Sequence, residues 1–126
     1  MSENLWPQIN PINIVSPKAL MIEQANFLAE STKQIIKGEV ITNPTGVDDQ
    51  SIHDFRIVAP KLNNYKFTLF QIQHGVLLYP LTVTFRNMAT IVDGEENFKD
   101  TMKGIFNDAN TKKTITSLYS QSIEKT

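Results

Sequence analysis

Between Ser16 and Lys37 the apolar positions recur at spacings of three and four. Leu20, Gln24, Phe27, Leu28, Ser31, Ile35 and Ile36 trace one face, while Glu23, Glu30, Lys33 and Lys37 lie mainly elsewhere, the pattern of an amphipathic helix. Ser16 suits the cap, Pro17 the first helical position and Gly38 the stop. From Glu39 the period drops to two. Glu39–Thr42 reads as a first strand, 43–49 (Asn-Pro-Thr-Gly-Val-Asp-Asp) as turn chemistry, and Ser51–Pro60 as a second strand. In that second strand Phe55, Ile57 and Ala59 share one side, with Asp54 and Arg56 on the other.

Tyr65–Gln73 and Val76–Arg86, rich in aromatic and β-branched residues, read as a β-hairpin. Leu77, Tyr79, Leu81, Val83 and Phe85 form the core side of its second arm, and Tyr65, Phe67 and Leu69 must meet them. A two-residue loop at His74-Gly75 would set the two core faces on opposite sides. A three-residue loop, Gln73-His74-Gly75, pairs Phe67 with Leu81 and Leu69 with Tyr79, and puts glycine where such loops favour a left-handed residue. That register is the expected one.

Residues 87–92 read as irregular or as an extension of the strand. Asp93, with Glu96 three residues on, then starts a helix that turns Phe98, Met102, Ile105 and Phe106 inward. Residues 107–110 break it, and a last helix over Thr111–Ile123 carries Ile115, Leu118 and Tyr119 on one face. The sum is an α+β domain: one N-terminal helix, a four-stranded antiparallel meander, and two C-terminal helices packed on one sheet face. The 126 residues suit a single domain, 1–126, and Pro7 and Pro11 make 1–15 an extended arm bearing Trp6, Ile9, Ile12, Ile14 and Val15.

Composition narrows the function classes. A formal charge of −1, with only Arg56 and Arg86 as arginines, argues against nucleic acid as a partner. The apolar run around Val76–Leu81 is too short to span a bilayer, and the first twenty residues lack a secretory pattern, so no membrane partner and a cytoplasmic location are expected. There is no cysteine, and the five glycines do not cluster, so neither a thiolate site, a phosphate loop nor a dinucleotide fingerprint is present. With two histidines, no metal and no cofactor are expected.

His74 at a hairpin tip reads as a turn residue. His53 has the parity of Phe55 and lies near Asp48, Asp49 and Asp54; a half-buried histidine bonded to backbone is preferred over a metal or acid–base cluster, because Asp54 points the other way. The acids Asp93, Glu95, Glu96 and Asp100 are explained by a helix start. Lys112 and Lys113 sit where the helix dipole does not favour them, a surface feature or a contact for an acidic partner.

The chosen register also gathers Phe70, Ile72, Val76 and Leu78 on the outer face of the hairpin. A patch of that kind needs a cover. The arm with Trp6 and Ile9, a second copy of the chain about a two-fold axis, or a different protein can each supply it. The expectation is therefore a non-enzymatic protein-interaction module, a homodimer or an adaptor- or inhibitor-type protein, working through Phe70, Ile72, Val76 and Leu78 with Trp6 as anchor. The alternative is a small-ligand or enzymatic domain whose pocket between sheet and helices is lined by His53, Tyr65 and Tyr79.

Overall fold

Helix α1 (Pro17–Ser31) begins where the capping chemistry requires: the Ser16 hydroxyl oxygen accepts from the Ala19 amide at 3.1 Å, and Pro17 occupies the first helical position. It ends six residues earlier than the sequence pattern suggests. In the computed structural model, which describes residues 2–9 and 15–125, the carbonyls of Leu28 and Ile36 share the single Thr32 hydroxyl hydrogen, and the hydroxyl oxygen accepts from the Ile36 amide. Lys33 and Gln34 take left-handed backbone angles, so the chain reverses before Gly38. Gly38 lies inside a strand instead.

Five strands follow: β1 (Lys37–Asn43), β2 (Ser51–Ala59), β3 (Tyr65–His74), β4 (Leu81–Phe85) and β5 (Met88–Val92), then helices α2 (Glu95–Phe106) and α3 (Ala109–Glu124). The strands pair antiparallel in the order β1-β2-β3-β4-β5, a meander with one strand more than the sequence pattern indicates. The helices lie on one face. Ala25 of α1 sits against Gly38 and Phe55, Phe106 of α2 lies 5.5 Å from the Phe55 ring and 6.1 Å from Phe70, and Leu118 of α3 joins the same buried cluster. The other face is polar: Lys66 and Arg56 approach Glu39, and Asp54 accepts from Asn43 and Gln71 at 2.8 Å each. Asp108, not a residue within the helix, caps α3 by accepting from the Asn110 and Thr111 amides. Gly94 occupies the cap position of α2, in place of the expected Asp93.

The hairpin register differs from the expectation, for two reasons. First, β3 and β4 are joined by six residues, 75–80, and the Tyr79–Pro80 peptide is cis. Proline cannot continue the ladder, so the strand assigned to Val76–Arg86 begins only at Leu81, and Gln71 pairs with Thr84 and Ile72 with Val83. Second, Phe55 pairs with Phe70 but Arg56 with Thr68, leaving Leu69 as an extra residue. This β-bulge shifts parity along β3, so that Phe67 and Phe70 both face the helices.

The outer apolar patch therefore does not exist as expected. Phe70 (1% exposed) and Ile72 (0%) are core residues. Val76 (76% exposed) and the half-buried Leu78 belong to the connecting loop, on no common face with them. Leu77, expected inside, is exposed, whereas Leu81 and Val83 are buried as the alternation demands. Residues 86–87, expected to be irregular or strand, form instead a two-residue turn with both residues left-handed, which folds β5 back on β4.

In the arm, Leu5, Trp6 (78% exposed) and Ile9 stand largely in solvent. Pro11, Ile12 and Ile14, to which the same extended reading applies, lie outside the described residues.

Candidate functional site

On the helix-facing side a histidine pair and an apolar cleft bear on function. His53 on β2 and His74 at the end of β3 come together because Ile72 pairs with His53 and the chain continues two residues along the same face. Their Nε2 atoms are 2.9 Å apart and both rings are buried. His53 Nδ1 is 2.9 Å from the Thr42 hydroxyl, and His74 Nδ1 is 2.8 Å from the Gly75 carbonyl oxygen.

These partners set the protons. A carbonyl oxygen only accepts, so His74 carries its hydrogen on Nδ1 and its neutral Nε2 accepts from His53 Nε2–H. His53 Nδ1 then accepts from the Thr42 hydroxyl. The result is one directed chain, Thr42 to His53 to His74 to Gly75, tying β1, β2 and the end of β3 together. Charging His53 reverses one of these bonds and places a cation in a buried position. Its pKa is accordingly lowered to about 4, by burial first, then by His74 and Lys18, with Asp54 acting weakly in the opposite sense.

A depressed histidine pKa makes the neutral form a source of native stability. That contribution is complete above the unfolded value of 6.5 and is lost as pH falls toward 4. The full shift corresponds to about 3 kcal/mol, and about 1–2 kcal/mol is expected because the exposed Thr42 opens one side of the ring to water. Denaturant unfolding of the parent and His53→Gln from pH 7 to pH 4 checks it. The parent should lose more stability across that window than the variant; equal slopes would remove the histidine pair as the cause.

Asp54 points to the polar face, and among the described residues no group of three or more His, Asp or Glu side chains is arranged to hold a metal ion. The other residues of the expected pocket do not join His53. Tyr65 is at the far end of β3, half in solvent, its ring 6.2 Å from Phe67. Tyr79 lies in the loop before β4; its hydroxyl is buried without a hydrogen-bond partner among the described residues, and burial with Glu95 nearby raises its pKa.

The second feature is a cleft of about 360 Å³ between α1 and α3, open over the sheet. Phe55, Ile57 and Phe106 line it together with Phe27 and Leu28 of α1 and Ile115 of α3, and Lys112 stands at it too. It exists because α1 is rotated from its expected orientation. Pro17, Leu20, Met21 and Ala25 face the sheet, since Ala25 must meet the bare backbone of Gly38, and Phe27 is left half-exposed. None of His53, Tyr65 or Tyr79 lines this cleft.

Neither feature is legible in the sequence. His74 is misplaced with the hairpin register, and Phe27 and Ile115 carry the same signature whether they fill a core or border an opening. Among the described residues no helix is long and apolar enough to cross a membrane. Set against protein-family models, curated proteins and solved structures, the chain matches none of them.

Proposed function

We propose that this chain is a non-enzymatic protein-interaction module, a homodimer or an adaptor- or inhibitor-type protein, that receives an apolar segment of a partner in the cleft between α1 and α3. The observation that carries the reading is the cleft itself: the half-exposed Phe27 and the partly buried Phe106 and Ile115 border an opening that a closed helix layer would cover. Lys112 beside it favours a partner segment with an acidic flank. Trp6 on the arm adds a further exposed anchor, with Leu5 and Ile9 exposed near it, since tryptophan commonly dominates docking energy. We place its work in the cytoplasm, a reading supported by a chain that has no disulfide to protect.

Phe27→Asp tests it. Phe27 is half-exposed, so the variant should keep the parent's melting temperature within a few degrees while a partner retained by the parent from extracts of the native host is lost. Equal retention by both proteins would reject the cleft as the docking surface. The size of the cleft also supports a second reading, an apolar small ligand, because about 360 Å³ lies in the range of small-molecule pockets. A melting temperature raised by an apolar compound in the parent and not in Phe27→Asp would favour that reading over a protein segment.

A further inference from the structure

We infer that β5 is a self-pairing edge: two copies of the chain join β5 to β5 antiparallel about a two-fold axis at Thr90, making one continuous ten-stranded sheet. This extends the interaction reading to a surface separate from the cleft, and the two are tested separately.

A sheet with order β1-β2-β3-β4-β5 has two edges, and they are built differently. β1 carries Lys37 and Glu39 and has α1 packed along it, the usual protections of an exposed edge. β5, Met88-Ala89-Thr90-Ile91-Val92, has no charge and no proline, shows no irregularity in its pairing with β4, and is exposed over its first four residues. Ile91, at 74% exposed, and Met88 stand in water on opposite faces of the strand.

The two-residue turn fixes which backbone groups are free. Phe85 and Met88 flank the turn and exchange hydrogen bonds, so the bonded pairs along β4–β5 are Phe85–Met88, Val83–Thr90 and Leu81–Val92. The amides and carbonyls of Ala89 and Ile91 therefore point away from β4, toward the open edge. One antiparallel register uses both residues: Ala89 opposite Ile91 of the second copy and the reverse, four backbone hydrogen bonds in all, with Thr90 facing Thr90 on the axis. Small Ala89 then receives large Ile91 on the outer face.

Charge is compatible with the same orientation. Antiparallel pairing brings the Arg86–Asn87 turn of one copy, its Arg86 already 3.6 Å from Asp108, beside the run Asp93, Glu95 and Glu96 of the other, where Lys99 lies within 3.6 Å of both glutamates, twice by symmetry. Parallel pairing would set the two arginines side by side and the acids likewise. On the helix face Met88 and Thr90 border a depression of about 440 Å³ shared with Thr101 and Ile105, which widens the contact beyond the strand.

The experiment uses solution mass and one cross-link. The full chain should sediment at twice 14.3 kDa. Ile91→Pro removes an amide that β4 does not use, so it should give a folded monomer with a parent-like circular dichroism spectrum. Independently, Thr90→Cys should oxidise to a covalent dimer, because facing residues of a non-hydrogen-bonded pair are about 4.5 Å apart between α-carbons, within disulfide reach. The lone thiol of Thr68→Cys, on the interior strand β3, should not. A monomeric parent, or a dimer that survives Ile91→Pro and leaves Thr90→Cys uncross-linked, overturns the inference. The first result would leave the cleft reading to be judged by Phe27→Asp, and the second would place self-association on another surface.

Discussion

Phe70→Ala is expected to lower the stability of the fold by about 3–5 kcal/mol, a loss of ~10 °C or more in melting temperature. Phe70 is buried at the centre of the helix-facing side. Its ring stacks on Phe55 with centroids 5.2 Å apart and planes inclined by 13°, and it meets the edge of Phe106 at 6.1 Å. Truncation removes one of the largest fully buried side chains and leaves a void that Phe55 and Phe106, themselves anchored to the sheet and to α2, cannot fill. The same substitution on an exposed hairpin patch would change stability by less than about 0.5 kcal/mol and improve solubility. Urea unfolding separates the two, and a cost under about 1 kcal/mol would restore the outward-facing register. Ile72→Asp sharpens the contrast, since a carboxylate buried opposite Val83 and beside His53 should abolish folding rather than dissociate an assembly.

Gly38→Ala is expected to destabilise by about 2–3 kcal/mol, although alanine normally suits a strand better than glycine does. A Cβ at this position would lie 2.7 Å from both Cα and Cβ of Ala25 and 3.2 Å from the tip of the Phe55 ring. The Ala25 Cα belongs to the helix backbone, so α1 itself must move off β1. The opposing gain, about 0.4–1 kcal/mol from a stiffer unfolded chain, is smaller than the clash. Ala25→Gly in the same chain should relieve only part of the loss, because the clash with the helix backbone remains and glycine weakens the helix by about 1 kcal/mol. Thermal unfolding of the two single variants and the double variant measures this coupling; strictly additive losses would show that the close approach is not what Gly38 provides. Gly104→Ala is the matched control: on α2 a Cβ there meets nothing within 4 Å, so it should stabilise.

The local signals were legible to the extent that they were local. Ser16 and Pro17 marked the start of α1, the alternation of β2 separated Phe55 and Ile57 from Asp54 and Arg56, and the spacing of Phe98, Met102 and Ile105 gave the buried face of α2. Local signals do not settle how two segments align. One extra residue at Leu69 reverses every side chain that follows it, and Pro80 carried more weight as a break than the apolar run around it carried as a strand. The histidine pair depends on that alignment, because His74 counts as a turn residue in one register and a core residue in the other. The cleft is not visible in the pattern, because a period of about 3.6 shows that a stripe is apolar and not which part of it is covered.

Periodicity, caps and turn residues by themselves determined the class, the succession of one helix, antiparallel strands and two helices, and the helix–sheet layering, since each acts over a few neighbouring residues. Tertiary structure alone decided what is inside and what is open: Phe70 and Ile72 buried, the cleft under Phe27, and β5 with its unpaired edge. The physical reason is that burial depends on which segment lies across from which. A single bulge or a close approach such as Gly38 to Ala25 settles that for the whole sheet while leaving the hydrophobic pattern along the chain unchanged.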